Sequence, residues 1–124
     1  MIKTKYFLLT LLLSAFLSAG AFATSFVEGI EDIPLMDGLI QQKAEENVSF
    51  GNEESRFIET YLSSKTITFK QVEKFYTDTL PQLGWKLDKK DKNSLYFFRD
   101  GEVLEIVREN GKSLLIRVTL KSKG

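Results

Sequence analysis

The sequence predicts an α+β fold: a two-layer sandwich in which one amphipathic helix, about residues 68–83, packs on an antiparallel sheet that ends in a C-terminal three-stranded meander. Three observations predict it. Thr68–Trp85 (TFKQVEKFYTDTLPQLGW) carries apolar residues at helical spacing. After Trp85 the period changes to two, as in a strand with one buried face. Asp100-Gly101 and Asn110-Gly111 then punctuate that stretch with residues that reverse a chain tightly.

Taken in order, the chain opens Met-Ile-Lys-Thr-Lys and carries no charge from Tyr6 to Val27. Tyr6–Phe16 is strongly apolar, and Ala21-Phe22-Ala23 places small residues at the −3 and −1 positions of a cleavage site. A basic head, an apolar middle and such a site together predict a secretory signal peptide, residues 1–23, cut after Ala23. The alternative is an uncleaved anchor, because the apolar stretch is nearly long enough to span a membrane. Removing 23 of the 124 residues leaves 101, enough for one domain with a single modest core. Cysteine is absent. An exported domain without disulfides rests on its core alone, and suits a bacterial periplasm. The expected location is therefore periplasmic or secreted.

Residues 24–45 are expected to form an N-terminal arm and residues 46–124 the single α+β domain. Thr24–Gly38 (TSFVEGIEDIPLMDG) has no clean period, yet Ile30, Ile33, Leu35 and Met36 are too many apolar residues for a free tail. The acids Glu28, Glu31, Asp32 and Asp37 lack the spacing of a calcium loop and read as a solvated cluster. Leu39–Ala44 fits a short strand or a helical turn. Val48–Phe50 and Arg56–Leu62 read as two strands joined over Gly51–Glu54, with Ile58, Thr60 and Leu62 on one face.

The helix carries its own start signal. With Thr68 as N-cap, Gln71 falls at N3 and completes a capping box, while Ile67 and Val72 occupy the positions of a hydrophobic staple. Phe69, Val72, Phe75, Tyr76, Thr79, Leu80 and Leu83 share one stripe. Pro81 cannot donate to the carbonyl of Thr77, so the helix either kinks there or stops before a separate turn over Pro81–Gly84. Gly84 supplies the left-handed cap in both versions. Phe75 and Tyr76 could form a ligand platform, but aromatics at helical spacing read as core.

Beyond the helix, Trp85 and Leu87 alternate with Lys86 and Asp88, and Lys89–Asn93 reads as a solvated connection. Leu95–Arg99, Glu102–Arg108 and Lys112–Lys121 are the expected strands of the meander. A two-residue turn at Asp100-Gly101 pairs Phe97 with Leu104 and Leu95 with Ile106, with an Arg99–Glu102 ion pair at the rim. A two-residue turn at Asn110-Gly111 would set Arg117 opposite Leu104 on the buried face, which the pattern forbids. The sequence therefore predicts a three-residue loop, Glu109-Asn110-Gly111, with Gly111 left-handed, Ile106 facing Leu114 and Leu104 facing Ile116.

The opposite face of that sheet mixes Tyr96, Phe98, Val103, Val107 and Leu115 with Glu105, Arg117 and Thr119. Either the arm or the first hairpin covers it, or Tyr96, Phe98, Val103 and Val107 form an interaction face.

The chemistry available is narrow. Histidine and cysteine are both absent, which removes Ser/His and Cys/His nucleophilic sites and the usual zinc ligands. No Gly-rich phosphate loop or nucleophile elbow occurs, and Glu53-Glu54 on a polar loop makes a poor acid/base dyad. No catalytic, metal-ligating or cofactor-binding residue is predicted, and no enzyme. Without Lys3 and Lys5, 15 basic residues face 17 acidic ones. No basic run suggests nucleic acid.

Asp32–Leu39 (DIPLMDGL), Phe75–Trp85 (FYTDTLPQLGW) and Arg99–Ile106 (RDGEVLEI) give the chain a pattern that resembles a family of small exported bacterial proteins of unknown function. The resemblance implies envelope localisation and one helix packed on a sheet, and brings no activity or binding residues. The expected function is that of a non-catalytic, periplasmic or secreted interaction or accessory module. Its partner would be an unidentified envelope protein, with membrane contact only through the signal peptide before cleavage. The alternative is a carrier holding a small apolar ligand between helix and sheet.

Overall fold

The computed structural model describes residues 25–42, 48–51 and 56–122, with the backbone alone described at 48–51. The expected signal peptide, the end of the arm and most of the Gly51–Glu54 connection lie outside these residues.

Among the described residues one α-helix is accompanied by nine strands. They are β1 (Phe26–Val27), β2 (Ile30–Pro34), β3 (Ile40–Gln41), β4 (Val48–Gly51), β5 (Arg56–Ser64), β6 (Lys86–Asp91), β7 (Ser94–Arg99), β8 (Glu102–Arg108) and β9 (Leu114–Ser122). Strands β1 and β2 form a hairpin of their own, and the rest make an antiparallel sheet in the order β3-β5-β9-β8-β7-β6, with β4 also on β5. The helix, α1, spans Phe69–Thr79. This is the α+β sandwich, with one layer helical and the other an antiparallel sheet carrying the C-terminal meander.

The helix begins as its sequence dictates. Thr68 Oγ1 accepts the N–H of Gln71 at 3.2 Å, and Gln71 Oε1 accepts the N–H of Thr68 at 2.9 Å, so two donors of the open first turn are satisfied reciprocally. At the other end Pro81 stops α1. Leu80–Leu83 forms a separate 3-10 turn, and Gly84 closes it at φ 92°. Trp85 then donates its N–H to the carbonyl of Leu80 at 3.1 Å.

Phe69, Val72, Tyr76 and Leu80 of the stripe are buried. Leu83 departs from expectation and is 42% exposed. Its turn lies near β6, the sheet's edge strand, so it has no sheet interior to cover.

Under α1 the sheet presents Ile58, Thr60 and Leu62 from β5, Leu95 and Phe97 from β7, Leu104 and Ile106 from β8, and Ile116, Val118 and Leu120 from β9, all buried. The arm joins the same core. Val27, Ile30, Ile33 and Leu39 belong to its cluster, and the Tyr76 hydroxyl donates to the carbonyl of Pro34 at 2.7 Å. The described part of the arm thus lies on the helix side of the sheet. Leu39–Ala44 resolves into β3 at Ile40–Gln41, which pairs with the end of β5.

Asp100 and Gly101, at φ 46° and 80°, form the expected two-residue turn, and the register of β7 with β8 is the predicted one: Arg99 with Glu102, Phe97 with Leu104, Leu95 with Ile106. The β8–β9 register is not. Ile106 faces Val118 and Leu104 faces Leu120, a slide of four residues that lengthens the loop, and Gly111 is not left-handed. An even slide keeps every side chain on its face, so the alternation of β9 cannot choose between the two. Both registers pair the whole of Glu102–Arg108; the observed one sets them against Ile116–Ser122, so the far end of β9, which also pairs with β5, has β8 as its second neighbour.

Two further expectations change. The polar stretch after Asp88 extends β6 to Asp91, paired with Ser94, and only Lys92-Asn93 turns. Arg99 and Glu102 are in register but do not pair as ions. Glu102 instead takes Arg56, with Nε to Oε2 at 2.9 Å, and Arg99 reaches Asp32 of the arm. Each side chain finds a partner brought in from elsewhere in the chain.

Candidate functional site

Register places Tyr96, Phe98, Val103 and Val107 together on the second face, with Phe98 opposite Val103, Val103 opposite Lys121 and Val107 opposite Arg117. Phe98 is 44% exposed, and the other three are half-buried. Charged side chains cross the same surface. Lys121 Nζ lies 2.7 Å from Glu105 Oε2, and Lys89 covers the ring of Tyr96 at 4.9 Å from its centroid. Arg117 Nε is 3.3 Å from Glu109 Oε1, close enough for ion pairing but not aligned as a hydrogen bond. Partial burial raises the pKa of the Tyr61 hydroxyl, and neighbouring Glu59 raises it further. The apolar residues here are interleaved with charge pairs, as on a solvated sheet face.

A more concentrated feature sits at the end of the sandwich where α1 begins. A cleft of about 630 Å³ opens between the β5–α1 connection, the β6–β7 turn and the β8–β9 loop. Its floor includes Ile67, Phe69 and Leu114, and five cations line it: Lys65, Lys70, Lys92, Arg108 and Lys112. Their one acidic neighbour in the lining is Glu73, already engaged by Lys90 at 3.2 Å. None of the five has an ion-pair partner among the described residues.

Local structure assembles this group. Ser64 Oγ accepts the N–H groups of Thr66 and Ile67 at 3.1 and 2.9 Å, which folds the β5–α1 connection so that Lys65 and Lys70 flank the helix start. The N–H of Arg108 donates to the carbonyl of Asn93 at 2.8 Å, tying the end of β8 to the turn that carries Lys92. The N–H of Glu109 donates to the carbonyl of Leu115 at 2.8 Å and closes the loop holding Lys112. The first N–H groups of α1, at Phe69 and Lys70, have no acceptor within the helix and add positive potential at the same place.

No basic run marks this cleft in the sequence, because its cations come from three separate connections. One signal was available. In an antiparallel meander alternate turns share an end, so the β6–β7 and β8–β9 connections, both carrying lysine, had to meet.

Among the described residues no group of three or more acidic side chains is placed to hold a metal ion, and no helix is long and apolar enough to cross a membrane. No protein-family model matches the chain, and neither a curated protein nor a solved structure is significantly similar to it.

Proposed function

We propose that this chain is a non-catalytic binding module of the cell envelope, exported behind residues 1–23, whose working surface is the basic cleft at the start of α1. The observation that carries this reading is the convergence of five cations that have no ion-pair partner among the described residues, in a chain whose formal net charge is zero. Like charges gathered in one cleft cost the fold electrostatic repulsion, and an anionic partner relieves it. The absence of histidine and cysteine supports binding over catalysis. The seating of Val72, Tyr76 and Leu80, each at most 1% exposed, in one cluster with Leu95, Phe97 and Leu104 supports a surface partner over an apolar cargo. The signal pattern and the resemblance to small exported bacterial proteins support the location.

Retention on a polyanionic matrix tests the reading. The variant Lys70→Ala/Lys92→Ala/Lys112→Ala should elute at clearly lower salt than the parent. Lys74→Ala/Lys86→Ala/Lys89→Ala removes the same charge from other surfaces and should elute later than the cleft variant. Equal elution of the two variants would overturn the reading. In the same preparation, the exported protein's mass should correspond to a chain starting at Thr24. Retention of residues 1–23 would mean that the segment stays on as a membrane anchor.

A further inference from the structure

We infer that the ligand of the basic cleft is an organic phosphate, a compound bearing multiply charged phosphate groups on an apolar or partly apolar body. The inference rests on the cleft being a binding site, as proposed above, and names what fits it. Charge is the first argument. Five cations against a single, already engaged carboxylate exceed what one carboxylate ligand could balance, whereas one or two phosphate groups supply two to four negative charges.

Donor geometry is the second. Four of the five cations are lysines, which act on phosphate as point charges from any direction. Arg108 adds a planar fork that can hold two oxygens of one phosphate. Neutral donors accompany them. Ser113 lines the cleft beside Lys112. Ser64, 5% exposed, accepts two backbone N–H groups, which leaves its hydroxyl proton to donate. A tetrahedral anion with three free oxygens uses many such donors. The floor is the third. Ile67, Phe69 and Leu114 form an apolar base beneath the charged rim, which a bare inorganic anion would leave wet and an organic body would cover. The volume of about 630 Å³ suits a small molecule or a headgroup.

Two sources supply this chemistry: a free phosphorylated metabolite and the headgroup of an anionic phospholipid. Amide spectra of the full mature chain, recorded during titration with inorganic pyrophosphate, with dihexanoyl phosphatidate below its micelle concentration and with acetate at matched ionic strength, separate the outcomes. Both phosphate probes should shift the amides of residues 64–73, 92 and 108–114 saturably, and acetate should not. Tighter binding of the phosphatidate than of pyrophosphate points to a headgroup, and equal or weaker binding points to a free phosphate. The variant Lys70→Ala/Lys112→Ala should weaken both by about tenfold or more, since each lost charged contact contributes roughly a factor of three to ten. Its spectrum also reports whether the fold is intact.

Neither phosphate probe saturating, or Lys74→Ala/Lys86→Ala weakening them equally, would overturn the inference. A DNA oligomer binding more tightly than both probes would assign the surface to a nucleic-acid backbone and overturn it as well. If polyanion retention still depends on the cleft lysines while neither probe binds, the organic-phosphate inference fails and the binding-module reading stands. If retention is also indifferent to those lysines, both fall.

Discussion

The guanidinium of Arg99 lies over the ring of Trp85, 4.3 Å from its centroid. The same side chain donates from Nη1 to the carbonyl of Leu83 at 2.9 Å and pairs through Nη2 with Asp32. One residue of β7 thereby fastens the helix terminus, the corner tryptophan and the arm. Replacing Arg99 with Met keeps the apolar stem and removes all three polar contacts. The expected loss is about 1–2 kcal/mol in a urea melt, the sum of a cation–π contact, a hydrogen bond and a partly exposed ion pair. An unchanged midpoint would show that the clamp contributes nothing.

Trp85 is 1% exposed, and its Nε1 has no hydrogen-bond partner among the described residues. Trp85→Ala should cost roughly 3–5 kcal/mol through the cavity it leaves. Trp85→Phe should cost less than half of that, because it keeps an aromatic body and removes a buried donor that has no acceptor. Equal losses for the two variants would mean that the indole N–H is satisfied in solution.

Thr68→Ala opens the capping box and should destabilise by about 1 kcal/mol, whereas Thr68→Asn, which restores an N-cap acceptor, should stay within a few tenths of the parent. Thermal melts of the pair read the difference directly. Equal melting temperatures for the two variants would assign the helix start to tertiary packing alone.

Burial raises the pKa of the Tyr76 hydroxyl well above its ordinary value of 10.0, while a backbone hydrogen bond from Met36 opposes this. A group whose folded pKa is raised gives stability that is complete below the unfolded pKa and lost as pH rises through the folded one. The chain should therefore lose stability above about pH 10, and Tyr76→Phe should lose less across the same range. The raised Tyr61 is common to both proteins, so the difference between the two curves isolates Tyr76. Parallel curves would show that the hydroxyl ionises without unfolding.

Gly38 has φ 94°, and a Cβ there would collide with Cδ1 of Ile67; Gly101 has φ 80° and open space around it. Gly38→Ala should destabilise more than Gly101→Ala, which carries backbone strain of about 1 kcal/mol alone. Adding Ile67→Ala to Gly38→Ala should narrow the gap. Equal losses for the two single variants would remove the steric part of the explanation.

Local chemistry fixed much of this molecule in advance. Thr68 and Gln71 name the helix start, Pro81 and Gly84 its end, and Asp100-Gly101 the tight turn, because each works through bonds to residues a few positions away. Alternation fixed which face of β5, β7, β8 and β9 is buried, but not that Leu87 on the edge strand β6 stays 41% exposed. It could not fix how far β9 slides along β8, since a slide of four leaves the alternation unchanged, and the structure sets Leu104 opposite Leu120 rather than Ile116. Nor could it foresee that Arg99 and Glu102 would exchange each other for Asp32 and Arg56. Lys65, Lys92 and Lys112 are single charges on separate connections in the sequence. They form one cleft because antiparallel strands return alternate turns to the same end, a consequence of topology that no local pattern encodes.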